Sequence, residues 1–117
     1  MTPIFVVRDM AEALAFYTGR LDFVRDFGWP EEDAFYVGLR RGADELHLTL
    51  PHRPGRSSAI LLCEDVDAAW TRFLGRGLVA PTRENSPVHA APLDQSWGTR
   101  EVYVDDPSGN TLIFQQR

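Results

Sequence analysis

Hydrophobic positions along this chain follow two periods, and the same succession of periods occurs twice. The apolar run Ile4-Phe5-Val6-Val7 leads through Arg8 to Asp9. Beyond it Met10, Ala13, Leu14, Tyr17 and Leu21 recur at spacings of three and four. Such spacing lines up side chains on one face of a helix. Further on, Ile60-Leu61-Leu62-Cys63 leads to Asp65, and Val66, Ala69, Trp70, Phe73 and Leu74 follow with the same spacing. Laying Ile4 on Ile60 also lays Asp9 on Asp65, Leu14 on Trp70 and Tyr17 on Phe73. Asp9 and Asp65 read as N-caps, because a short carboxylate accepts the free N–H groups of a first helical turn. Glu12, three residues after Asp9, predicts a capping box. Gly77 is placed to stop the second helix.

Strand-like segments complete each copy. Phe23 to Trp29, Ala34 to Arg41 and Glu45 to Leu50 follow the first helix, with the turn Arg41-Gly42-Ala43-Asp44 between the last two. In the second copy Arg100 to Val104 and Thr111 to Gln115 flank Asp106-Pro107-Ser108-Gly109-Asn110, a hairpin signal. Pro81 to Pro92 is polar and proline-rich and is the weakest strand candidate. The chain is therefore expected to be α+β: two tandem βαβββ modules forming a curved, mostly antiparallel sheet around a cleft. Module one takes residues 1–50, a proline- and glycine-bearing linker 51–57, and module two 58–117.

Composition narrows what such a fold can do. With 117 residues, 44% of them hydrophobic, the chain can form one core. It has 12 basic and 17 acidic residues, a formal charge of −5, which argues against nucleic acid as a partner. A single cysteine, Cys63, excludes an intrachain disulfide and reads as a small buried hydrophobe. No apolar run reaches the length of a membrane span, and a cytoplasmic location is the default expectation.

Two segments carry a resemblance. Val7-Arg8-Asp9-Met10-Ala11-Glu12-Ala13-Leu14-Ala15-Phe16-Tyr17 and the later Asp106-Pro107-Ser108-Gly109-Asn110 resemble the opening and closing marks of the vicinal oxygen chelate superfamily. That superfamily includes glyoxalase I, extradiol dioxygenases, and fosfomycin- and bleomycin-resistance proteins. Gln95-Ser96-Trp97-Gly98-Thr99-Arg100-Glu101-Val102-Tyr103 is similar to the Pro-Trp-Gly-X-Arg-Glu-Phe segment of the bleomycin-resistance branch, with Ser96 in place of proline. Glu45-Leu46-His47-Leu48 is similar to that branch's fourth strand.

The resemblance implies four metal-ligand positions in the catalytic members, which fall here on Thr2, His47, Ser58 and Ile113. Isoleucine cannot ligate and neutral hydroxyls ligate poorly, so neither a metal nor another cofactor is expected. His47 is then a cleft residue, as ready to hydrogen-bond a neighbour as to touch ligand. His52 and His89 fall in loop-like segments and are expected to be solvated.

Metal-free members of the branch are dimers that sequester bleomycin-type antibiotics at the subunit interface without chemistry. The resemblance thus implies a homodimer, with strand exchange between copies a known variation. A cationic drug with a planar aromatic portion requires aromatic faces and carboxylates. Trp97 matches the branch's ligand-lining tryptophan, and one of Phe35 and Tyr36 is expected to face the cleft. The acidic loop containing Glu32 and Asp33 stands next to them. Trp29 and Trp70 are assigned to core or interface, and Arg100-Glu101 to a loop-fixing ion pair. Three rival readings remain: a lyase, isomerase or dioxygenase with a relocated metal, a binder of another planar or cationic molecule, and a structural dimer.

Overall fold

The computed structural model describes residues 2–50, 57–79 and 86–117. Module one runs β1 (Ile4–Val6), α1 (Met10–Gly19), β2 (Val24–Trp29), β3 (Tyr36–Arg41) and β4 (Asp44–Thr49). Module two runs β5 (Ser58–Leu62), α2 (Val66–Gly75), a 3-10 turn (Pro87–His89), β6 (Leu93–Asp94), β7 (Arg100–Asp105) and β8 (Thr111–Gln116). Each module forms a four-stranded mixed sheet, ordered β1-β4-β3-β2 and β5-β8-β7-β6. In each, the first strand pairs parallel with the last and the other neighbours are antiparallel. The repeat read from the sequence is thus an α+β fold of two βαβββ-like modules. No described helix is long and apolar enough to cross a membrane.

Both helices begin where their caps predict. Asp9 accepts the N–H of Glu12 and Asp65 that of Ala68. The capping box does not form, because Glu12 turns outward to Arg8 in a two-pronged ion pair, Nε to Oε1 at 2.7 Å and Nη2 to Oε2 at 2.9 Å. At the other end of α2, Gly77 takes φ +95°. Its N–H reaches the Leu74 carbonyl, while the Leu78 N–H reaches that of Phe73. These paired bonds satisfy the last free carbonyls of the helix, and only glycine adopts the required backbone without strain.

One apolar cluster runs through both modules. Phe5, Val7, Tyr17, Leu21, Val37, Leu39 and Leu48 meet Val66, Phe73, Val102, Leu112 and Phe114 within it. Leu14 is only partly buried, while Phe16 fills the core beside Tyr17. Leu74, expected on the buried stripe, is 44% exposed. It lies roughly 90° around α2 from the centre of the stripe formed by Val66, Ala69, Trp70 and Phe73. Residues 80–85 and 51–56, including His52 and most of the linker, lie outside the described residues. Within the rest of Pro81 to Pro92 there is a 3-10 turn instead of a strand. The short β6 comes after it, since Pro87 and Pro92 have no N–H to give a ladder.

Two polar clusters tie the modules together. Asp106 accepts the Tyr17 hydroxyl at 2.9 Å and the backbone N–H groups of Ser108 and Asn110. Asn110 donates to Asp106 and to the Val6 carbonyl, and accepts the Ser57 N–H. The closing loop of module two is therefore bolted to β1 and α1.

At the other cluster Asp22 receives Arg72 at 2.6 Å and Arg76 at 2.9 Å, with Arg41 at 3.5 Å. Burial pushes the Asp22 carboxyl up. The hydrogen bonds from Arg72 and Arg76 outweigh burial, helped by the charges of Arg72 and Arg41, and hold it below the usual carboxylate value. Its share of stability is then complete above about pH 4 and is lost as pH falls through the lowered folded value. Unfolding midpoints of Asp22→Asn and the parent are expected to differ at neutral pH and to converge under strongly acidic conditions.

Candidate functional site

Each sheet covers the core with one face and leaves the other open. On sheet one the cross-strand partners Gly38 and His47 belong to the open face, while Val37, Leu39, Leu46 and Leu48 point into the core. β2 carries an irregularity between Arg25 and Phe27. The extra residue there, Asp26, changes the parity of the strand, so that Val24, Phe27 and Trp29 all lie on the open face. Phe27 stacks on Tyr36, with ring centroids 6.3 Å apart, and meets His47 edge-on at 5.3 Å. Tyr36 and His47 are themselves edge-on at 5.3 Å, and the Tyr36 hydroxyl lies 2.6 Å from His47 Nδ1. Glu45 Oε2 is 3.7 Å from the opposite ring nitrogen.

Gly38 makes this cluster possible. The Phe27 ring rests on the space where a β-carbon at position 38 would stand. Gly38→Ala is expected to push the ring outward and break its stacking on Tyr36, at a stability cost of about 1 kcal/mol because Phe27 has solvent to move into. Near-ultraviolet circular dichroism and a denaturant titration check this.

The sequence-predicted residues distribute as follows. Tyr36 and His47 come together in this cluster. Phe35, just ahead of β3, stands edge-on to Trp29 at 5.1 Å, and both are exposed. Asp33 takes a left-handed φ of 52° and, with Glu31, lines a pocket of about 370 Å³ bounded by Met10, Ala11 and Leu14 of α1. It therefore serves the helix side of the sheet, away from the aromatic cluster, and Glu32 beside it is exposed to solvent. Phe27 and Trp29 join the open face although simple alternation from the buried Phe23 did not select them, because the irregularity at Asp26 shifts the parity.

On sheet two, Ile60, Ile113 and Tyr103 share the open face, as do Leu62, Gln115, Glu101 and Leu93 in the next row. Trp97 stands at the apex of the β6–β7 hairpin and is 64% exposed. The loop beneath it is closed by the Gln95 N–H on the Thr99 carbonyl at 2.7 Å, with Gly98 at φ +97°. Among the described residues, no hydrogen bond or ring contact links Trp97 to the Tyr36–His47 cluster.

Three sequence expectations change here. Arg100 and Glu101 do not pair: neighbours along a strand point to opposite faces. Arg100 grips Asp67 at 2.9 Å and Asp94 at 3.2 Å, whereas Glu101 is 2% exposed on the other side. His89 is not solvated but 6% exposed, edge-on to Tyr103, with Ser86 Oγ 2.6 Å from Nδ1 and Asp105 3.3 Å from Nε2. This serine–histidine–aspartate contact pins the 3-10 turn to β7, and an imidazole so enclosed is closed to substrate. Cys63 is half-buried rather than buried, and burial pushes its thiol up, against the opposing Arg41 guanidinium.

The residues do not fit the superfamily's metal. Of the four implied positions only His47 has a donor of the usual kind; Ile113 has none, and Thr2 and Ser58 offer only neutral hydroxyls. Among the described residues no group of three or more His, Cys, Asp or Glu side chains is placed to hold a metal ion.

Comparison with known proteins agrees with this architecture. A bleomycin-binding protein solved in complex with bleomycin superposes with a TM-score of 0.79 at 26% identity, covering 100% of this chain and 97% of its own. A bleomycin resistance determinant encoded on the transposon Tn5 gives 0.80 at 26% identity, covering 100% and 96%. The bleomycin-binding protein of Streptomyces verticillus, bound to copper(II)-bleomycin, gives 0.73 at 24% identity, covering 97% and 92%. No curated protein sequence matches the chain. The profile of the Glyoxalase/Bleomycin resistance protein/Dioxygenase superfamily matches residues 3–114, and the chain belongs to that superfamily.

Proposed function

We propose that this protein is a homodimeric, metal-independent binder that sequesters a cationic, planar aromatic antibiotic of the bleomycin type without altering it. The observation that carries this reading is the aromatic face of exposed Phe27 over half-buried Tyr36 and His47, with Trp29 and Phe35 exposed at its edge. Such a surface offers ring faces to a flat cation and costs free energy while it stays in water. The likeness to a bleomycin-bound structure along the whole chain supports the same ligand class. Carboxylate countercharge comes from Glu45 beside His47 and, across the chain, from an overall charge of −5.

The exposed apolar surfaces support the proposed dimer. Ile4, Val24 and Trp29 on sheet one and Ile60, Leu62 and Leu93 on sheet two are all exposed in the single chain. Two copies facing one another would bury both open faces, and in this reading the aromatic face and the Trp97 hairpin line the cleft between them.

Equilibrium dialysis against metal-free bleomycin, with chromatography of the released drug, tests the reading. One intact drug molecule retained per subunit is the expected result. A chemically changed drug would replace sequestration by catalysis, and no retention would remove the ligand class. Light scattering should give twice the chain mass; the mass of a single chain would remove the dimer.

A further inference from the structure

Buried polar groups on an otherwise apolar sheet face require a reason, since each must be paired to offset its lost hydration. Glu101 is such a group. It lies on the open side of β7, yet only 2% of it is exposed, in a row with Leu62, Gln115 and Leu93 of the neighbouring strands. One of its oxygens, Oε2, accepts both the Gln115 side-chain amide and, at 2.9 Å, the Thr99 hydroxyl. Gln115 in turn accepts Arg117 Nε at 2.9 Å. The row therefore runs from the end of β8 across the sheet and ends on Thr99, the residue that closes the Trp97 loop.

The opposite side of the same hairpin is held separately. Arg100 spans Asp67 at the start of α2 and Asp94 at the end of β6. The stem under Trp97 is thus gripped on both faces, by Arg100 on the helix side and by Glu101 through Thr99 on the open side. Trp97 itself is 64% exposed and has no ring partner among the described residues. Its orientation depends on the loop carrying it.

We infer that Glu101 is a positioning residue: through Thr99 it fixes the Trp97 hairpin so that the indole is already presented when a planar ligand arrives. Holding a binding group in its bound orientation removes an ordering cost from association and appears as affinity. The inference rests on Trp97 touching ligand, as proposed above, but the device itself is visible in the free protein.

The test uses protein labelled with 5-fluorotryptophan, whose Trp97 resonance is assigned by its loss in Trp97→Phe. Thr99→Val removes one hydroxyl at nearly constant volume, and Glu101→Leu removes both acceptors. Glu101→Gln keeps an oxygen for Thr99 and for Gln115. In Thr99→Val and Glu101→Leu the Trp97 resonance is expected to narrow and move toward that of the free amino acid, while the Trp70 resonance stays in place. In Glu101→Gln it should remain near the parent position. Bleomycin affinity should fall about tenfold in Thr99→Val and hold in Glu101→Gln. A Trp97 resonance unchanged in Thr99→Val would overturn the inference, whatever happens to the melting temperature. If the parent protein binds no drug, the sequestration reading falls, and the resonance alone decides whether Glu101 positions the hairpin.

Discussion

Asp106→Ala is expected to lower the unfolding free energy by about 4 kcal/mol, more than any surface change in this chain. Four donors converge on that one carboxyl: the Tyr17 hydroxyl, the Ser108 and Asn110 N–H groups, and the Asn110 side-chain amide. Asp106 is 5% exposed and Asn110 fully buried, so water cannot freely replace the lost acceptor. The damage would also spread, because Asn110 held by Asp106 is what carries the Val6 carbonyl and the Ser57 N–H. Tyr17→Phe removes a single bond from the same cluster and should cost about 1 kcal/mol. Urea unfolding of the two single variants and the double variant gives the coupling between them. A loss below about 1 kcal/mol for Asp106→Ala would mean that the loop is not the bolt between modules.

Trp97→Ala is expected to do the reverse, leaving the fold nearly untouched while weakening bleomycin binding by about thirtyfold, or about 2 kcal/mol. The side chain is mostly in solvent, so its removal should change stability by less than about 0.5 kcal/mol. Trp70→Ala supplies the contrast. That side chain is 7% exposed within the core, and truncating it should cost about 3 kcal/mol of stability. Calorimetric titration together with denaturant unfolding separates the two patterns. Unchanged affinity in Trp97→Ala would take the hairpin out of the site.

How far the chain could be read in advance depended on how local each feature is. The repeat was legible because Asp9 and Asp65 cap helices through residues three positions away, and the buried stripes obey a single period. Features set by distant partners were not. His89 is buried by Tyr103 and Asp105, some fourteen to sixteen positions later, and no local pattern around it signals that. The Asp-Pro-Ser-Gly-Asn segment reads as a hairpin from its own residues, but its docking on Tyr17 and Val6 spans about ninety to a hundred positions. Phe27 was hidden by the irregularity at Asp26, which reverses strand alternation. Glu12 read as the capping-box partner of Asp9, but Arg8 takes its carboxylate instead. The separation of Arg100 from Glu101 needed no structure, because adjacent strand residues cannot share a face.

Within the aromatic face, alternation left Phe35 and Tyr36 as alternatives beside His47; the structure puts Tyr36 against His47 and adds Phe27 in contact with both. The acidic loop was legible only as charge. Its geometry directs Asp33 toward α1, which leaves Glu45 as the carboxylate beside the rings.

The most direct test of the account is a titration of purified, chelator-treated protein with metal-free bleomycin, followed by tryptophan fluorescence. Saturable quenching that ends at one drug per subunit, and is largely lost in Trp97→Phe, is the predicted result. An unchanged spectrum up to high micromolar drug would contradict it, and the superfamily fold would then serve some other ligand.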